Sequence, residues 1–108
     1  MIREIGATEL AAWLADDSRP QPLLLDVREA WEVQLASLPG IVHIPMNLIP
    51  GRMAELPDDR AIVTICHHGV RSFQVGLYLK NAGFDEVVSL KGGVEAWASD
   101  VDPTMAHY

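Results

Sequence analysis

The single cysteine of this 108-residue chain ends a short apolar run and opens a loop suited to anions. The run is Ala61-Ile62-Val63-Thr64-Ile65, and Cys66 is followed by His67, His68, Gly69, Val70, Arg71 and Ser72. A strand that passes through a tight loop into a helix aims the loop's N–H groups at one point. Those donors and the helix dipole stabilise an anion there. A thiolate is such an anion, and it is the nucleophilic form of cysteine. Gly69 permits a tight turn at positive φ, so that consecutive N–H groups form an anion-binding nest. Arg71, five positions after Cys66, carries a permanent positive charge, and Ser72 is placed to cap the helix with its side-chain oxygen. His67 and His68 offer charge or hydrogen bonds, or else stand in solvent without a part in the chemistry. Adjacent histidines on a tight loop rarely converge on one ion, and no further Cys or His cluster completes a tetrahedral site, so no metal is expected. The alternative for Cys66 is a small buried hydrophobe. Its place before His-His-Gly argues for reactivity instead.

The elements that must position this loop can be read from the hydrophobic pattern. Strands are expected at Ile2–Ile5, Leu23–Val27, Ile41–Ile44, Ala61–Ile65 and Glu86–Ser89. Helical spacing covers 8–15, 30–35, 72–82 and 94–98, with a less regular helix within 47–56 where Pro50 and Gly51 disturb its start. Gly83 stops the helix over 72–82. The continuous apolar character of Leu23-Leu24-Leu25 suits a strand covered on both faces. Strand–helix alternation predicts an α/β fold, an open and largely parallel five-stranded sheet with helices on both faces. In such sheets ligands bind beyond the carboxyl ends of the strands, where both Cys66 and Asp26 fall. Asp26 and Arg28 read better as an ion pair anchoring the strand end than as a catalytic acid–base pair. His43 reads as a hydrogen-bonded core residue, and Trp13, Trp31 and Trp97 as residues packed in or near the core.

Composition narrows the class. The length fits one domain over residues 1–108, with an irregular tail from about residue 99. The net charge is −7, and acidic residues cluster at Asp16-Asp17, Asp58-Asp59, Asp85-Glu86 and Asp100 to Asp102. No run of Lys and Arg exists to neutralise phosphates in series, so nucleic-acid binding is not expected. No apolar stretch is long enough for a membrane span. Met1-Ile2-Arg3-Glu4-Ile5 does not read as a signal peptide. One cysteine without an export signal suggests a free thiol in a reducing compartment, the cytoplasm.

Three stretches together are similar to the rhodanese domain, the sulfurtransferase family. Leu24-Leu25-Asp26-Val27-Arg28-Glu29 resembles its early Leu-Asp-Val-Arg motif. Cys66 to Ser72 resembles its active-site loop, Cys-x-x-Gly-x-Arg-Ser. Leu90-Lys91-Gly92-Gly93-Val94-Glu95-Ala96-Trp97 resembles its Leu-x-Gly-Gly-x-x-x-Trp signature. The resemblance implies that the Cys66 thiolate takes sulfane sulfur from a donor such as thiosulfate, releases sulfite and carries a persulfide. An acceptor thiolate or cyanide then takes the outer sulfur. It further implies that the N–H groups of His67 to Ser72 hold the persulfide and that Arg71 helps to hold an anionic donor. No cofactor is implied. Thioredoxin, glutathione or a biosynthetic protein are the candidate acceptors. Related phosphatases place five residues between Cys and Arg, against four here, so phosphatase and arsenate reductase chemistry rank below sulfur transfer. One departure is visible: Ser37 stands where many members have a histidine. The readings from other classes are a non-catalytic docking module, which typically lacks the cysteine, and a redox-sensing thiol, which has no second cysteine here to resolve a sulfenic acid.

Overall fold

The computed structural model describes residues 2–108. Five short strands, β1 (Arg3–Ile5), β2 (Leu23–Asp26), β3 (Val42–His43), β4 (Ile62–Ile65) and β5 (Val87–Leu90), form one sheet in the order β1-β5-β4-β2-β3. Every pairing is parallel, as the alternation predicts. The helices are α1 (Ala7–Leu14), α2 (Ala30–Leu35), α3 (Ile49–Arg52), α4 (Val70–Asn81) and α5 (Gly93–Asp100).

Side chains alternate across each strand and so divide the core in two. Leu24, Val63, Ile65 and Leu90 pack with Leu10 and Trp13 of α1 and with Val94 and Trp97 of α5. Leu25, Val27, Ile62 and Val87 pack on the other face with Ile49 of α3 and Val75 and Leu79 of α4. Complete burial of side chains such as Leu10, Leu25, Ile62 and Leu79 contributes about 1.5–3 kcal/mol each before the entropy cost of ordering them. Cys66 continues the alternation of Ile62 and Thr64 and joins the second cluster. That parity aims its sulfur toward α4.

Three expectations need correction. The helix expected within 47–56 is a four-residue α-helix flanked by 3-10 turns at Met46–Leu48 and Met53–Glu55. Pro50, without an N–H, is accommodated only in the first turn of α3. The third strand shortens to two residues at the sheet edge, with Pro45 soon after it. Trp31 is 59% exposed and lies outside the core, whereas Trp13 and Trp97 are buried as expected.

Candidate active site

Register places the site before any side chain is considered. Asp26 of β2 lies opposite Ile65 of β4, so the segments that follow the two strands leave the sheet side by side. Cys66 is therefore next to the β2–α2 connection that carries Arg28.

The Cys66 thiol is almost completely buried. Its Sγ accepts the N–H of Gly69 at 3.0 Å and the N–H of Ser72 at 3.3 Å. The loop reaches this geometry because Gly69 takes φ +103° immediately before the first turn of α4, a conformation that a side chain rarely adopts. The helix consequently starts at Val70, not at Ser72. Ser72 is then its third residue, and it does not cap the helix with its side chain. Its hydroxyl instead lies 3.4 Å from Sγ and 2.7 Å from the hydroxyl of Ser89 on β5. With the sulfur as a thiolate, Ser89 can donate to Ser72 and Ser72 to sulfur. Thr64 Oγ1 donates to the carbonyl of Ser72 at 2.8 Å and ties the start of α4 to the sheet.

The far side of the loop is held by α5. Val94 N–H donates to the Cys66 carbonyl at 2.9 Å, and Glu95 N–H donates to the His67 carbonyl at 3.1 Å. These are first-turn N–H groups, which have no partner inside their own helix. Gly93 makes the approach possible: it has φ +59°, and a Cβ there would overlap both carbonyl oxygens.

A charged wall flanks the loop. Arg28 and Asp26 are fully buried, with Arg28 Nη2 2.7 Å from Asp26 Oδ2 and Arg28 Nε bonded to both carboxylate oxygens. Burial pulls the Arg28 pKa down, but the hydrogen bonds to Asp26 and Tyr108 outweigh it and hold it above the usual range. Arg28 also donates to the carbonyl of Ala36 at 2.6 Å. That carbonyl directly precedes Ser37. The His43 ring bonds the Arg28 carbonyl at 2.7 Å, the partnered role expected of it.

Arg71 makes a two-pronged pair with Glu32, Nη1 to Oε2 and Nη2 to Oε1, both at 2.8 Å. Hydrogen bonds from Arg71 lower the Glu32 pKa to about 2 against the opposing effect of burial, and the Arg71 pKa rises in turn. Beside Arg71 opens a cavity of about 350 Å³ lined by Val27, Glu29, Met46, Asn47 and Pro50. The His67 and His68 rings lie 3.9 Å apart. Burial lowers the His67 pKa, and His68 adds to the effect. His67 Nε2 is buried without a hydrogen-bond partner among the described residues, 3.8 Å from Glu95 Oε1. His68 and Val70 are exposed at the loop's tip.

A family model for the rhodanese-like domain matches residues 6–100. The chain belongs to the rhodanese-like domain family. It is 40% identical over 106 residues to a sulfurtransferase of Allochromatium vinosum, a match covering 98% of this chain and 97% of the relative. It is also 40% identical over 106 residues to the probable adenylyltransferase/sulfurtransferase MoeZ of Mycobacterium tuberculosis, over 96% of this chain but 26% of that protein. Among solved structures, SSP1007 of Staphylococcus saprophyticus superposes with a TM-score of 0.84 at 31% identity, over 98% of this chain and all of that one. Relatives that carry the sulfurtransferase name at this similarity make the chain a rhodanese-type sulfurtransferase in general terms.

The rhodanese fold brings Gly69 and Ser72 of the heptapeptide onto the Cys66 sulfur, and strand register sets Asp26 beside Ile65, one residue before Cys66. Sequence reasoning missed Glu32, Ser89 and Tyr108. Glu32 carried one readable sign. Its side chain accepts the Glu29 N–H at 2.9 Å in a reciprocal capping box at the start of α2. The spacing is that of a capping box, with Glu29 at the N-cap in place of the usual Ser or Thr. Ser89 and Tyr108 carry no local signal.

Proposed function

We propose that Cys66 is the nucleophile of a sulfur transfer in which a persulfide forms on Sγ. The two backbone N–H groups directed at Sγ, from Gly69 and Ser72, carry this reading. Such donors already point at the sulfur and cost no reorganisation when negative charge arrives. The thiolate attacks the outer sulfur of thiosulfate, the S–S bond of the donor breaks, and sulfite leaves with the electron pair. The new Cys66 persulfide keeps one negative charge. An acceptor thiolate or cyanide then attacks its outer sulfur and restores the Cys66 thiolate, giving an acceptor persulfide or thiocyanate.

The remaining residues of the loop, His67, His68, Gly69, Val70, Arg71 and Ser72, form the binding rim for the small anionic donor, with Arg71 as its cation. Asp26 and Arg28 support that rim without touching the sulfur. The acceptor is a thiol, thioredoxin or a biosynthetic protein among the candidates. The adenylyltransferase/sulfurtransferase name of MoeZ favours a biosynthetic partner. A free thiol fits a reducing, cytoplasmic setting.

The test is intact-protein mass spectrometry. Freshly reduced protein treated with thiosulfate is expected to gain one sulfur, about 32 Da, and to lose it to cyanide or dithiothreitol. No adduct from thiosulfate would sink thiosulfate as the donor. No adduct from any sulfane donor would sink the persulfide.

A further inference from the structure

The C-terminal segment folds back against the rim of the site. Tyr108 Oη accepts a hydrogen bond from Arg28 Nη1 at 2.8 Å and donates one to Glu32 Oε1 at 3.0 Å. Its ring stacks on the His67 ring, with centroids 3.7 Å apart and planes 6° from parallel. Trp31 meets it edge-on at 5.9 Å.

The Glu32 carboxylate thus receives four donors: two from Arg71, one from the Glu29 N–H and one from Tyr108. The Arg71 side chain has no other hydrogen-bond partner among the described residues. Its guanidinium stands where Glu32 holds it. Glu32 in turn is fixed through Oε2 by its own helix and through Oε1 by Tyr108. Without the phenol hydroxyl, Oε1 keeps only Arg71, and the Glu29 N–H on Oε2 is, among the described residues, the one hydrogen bond from outside the pair that still sets its position.

We propose that Tyr108 is a positioning residue for anion recognition: its hydroxyl holds Glu32, and through it Arg71, while its ring holds His67. This rests on the reading that Arg71 faces an anionic donor. The assignment gives the irregular tail a function that no motif in it announces. It also explains how Arg71 recognises an anion although Glu32 already pairs with it. Selectivity then depends on where the guanidinium stands, and its remaining N–H faces stay ordered.

The experiment compares two reagents of nearly equal size at Cys66, iodoacetate as the anion and iodoacetamide as the neutral analogue. Tyr108→Phe keeps the ring on His67 and removes only the hydroxyl. The ratio of the two alkylation rates is expected to fall about fivefold, the factor matching one net hydrogen bond. A general loosening of the fold changes both rates together and leaves the ratio unmoved. An unmoved or raised ratio overturns the proposal. A second reading comes from the Arg71 Nε resonance in ¹⁵N NMR, which is expected to shift in Tyr108→Phe without any reaction at the thiol. An unshifted resonance also overturns it. Neither readout uses a sulfur donor, so failure of wild-type protein to take sulfur from thiosulfate strikes the sulfur-transfer reading alone.

Discussion

The floor and the wall of the Cys66 site are built on opposite principles. The floor consists of backbone N–H groups and hydroxyls from Gly69, Ser72 and Ser89, none of them formally charged. The wall is a chain of charges, Asp26 to Arg28 and Glu32 to Arg71, joined by the Tyr108 hydroxyl. Floor donors come mostly from one short loop whose geometry is enforced by Gly69 and Gly93. Wall partners come from the end of β2, from α2, from α4 and from the C-terminal segment. A polar floor can receive negative charge on sulfur without a fixed cation to trap it there, which suits an intermediate that must leave again. A wall of paired charges sets shape and stability. The comparison predicts that damage to the floor strikes chemistry first and damage to the wall strikes the fold first.

The largest effect is expected at the sulfur itself. Cys66→Ser is expected to abolish transfer and the persulfide adduct while the thermal transition stays close to wild type. Transfer near the wild-type rate would remove Cys66 from the mechanism.

On the wall, Arg28→Ala takes the paired cation from the buried Asp26 side chain and leaves it the backbone N–H of position 28. Breaking a buried pair in this way costs about 3–5 kcal/mol, read as a lowered denaturant midpoint. A loss below about 1 kcal/mol would show that water enters and compensates Asp26, which its complete burial argues against.

Acid gives the next comparison. The folded-state pKa of Glu32 is lowered to about 2, chiefly by Arg71. A depressed carboxylate pKa stabilises the fold above the unfolded value, and that contribution is lost as pH falls through the folded one. Wild type is therefore expected to lose stability progressively from about pH 4.5 toward pH 2. Glu32→Gln is expected to be less stable at neutral pH and to show a shallower decline across that window. Parallel pH profiles for the two proteins would mean that Glu32 is not ionised against Arg71.

The smallest effect separates floor from wall most cleanly. Ser72→Ala removes the hydroxyl between Cys66 and Ser89 but leaves the Ser72 N–H in place. One hydrogen bond of about 1 kcal/mol predicts roughly a fivefold drop in the transfer rate. Stability is expected to fall by less than in Arg28→Ala, by about 1–3 kcal/mol for the buried Ser89 hydroxyl left without its partner. A stability loss as large as that of Arg28→Ala would erase the distinction between the two regions.

Much of the floor was legible because it is local. Cys66 follows a strand, Gly69 marks the turn and Ser72 closes the loop, all within seven residues. The capping role expected of Ser72 failed for a reason invisible in sequence: the helix starts at Val70, directly after Gly69 and two residues before Ser72, and this turns the hydroxyl back to Cys66. The pair of Asp26 with Arg28 was legible for the same reason of proximity. Glu32 was not recognised, because an acidic residue early in a helix reads equally well as a solvated capping residue.

The sequence by itself determined the order of strands and helices, the two-sided burial of the sheet and the single thiol at a strand's carboxyl end. These follow from hydrophobic period and from glycine and proline placement, which act over a few residues. Only the tertiary structure decided what surrounds that thiol. Arg71 finds Glu32 across 39 positions, and Arg28 finds Tyr108 across 80. Ser89 reaches Ser72 because β5 lies beside β4 in the sheet. Such contacts depend on strand order and on where the tail comes to rest. Charge pairs and hydroxyl contacts of this kind leave no periodic trace along the chain.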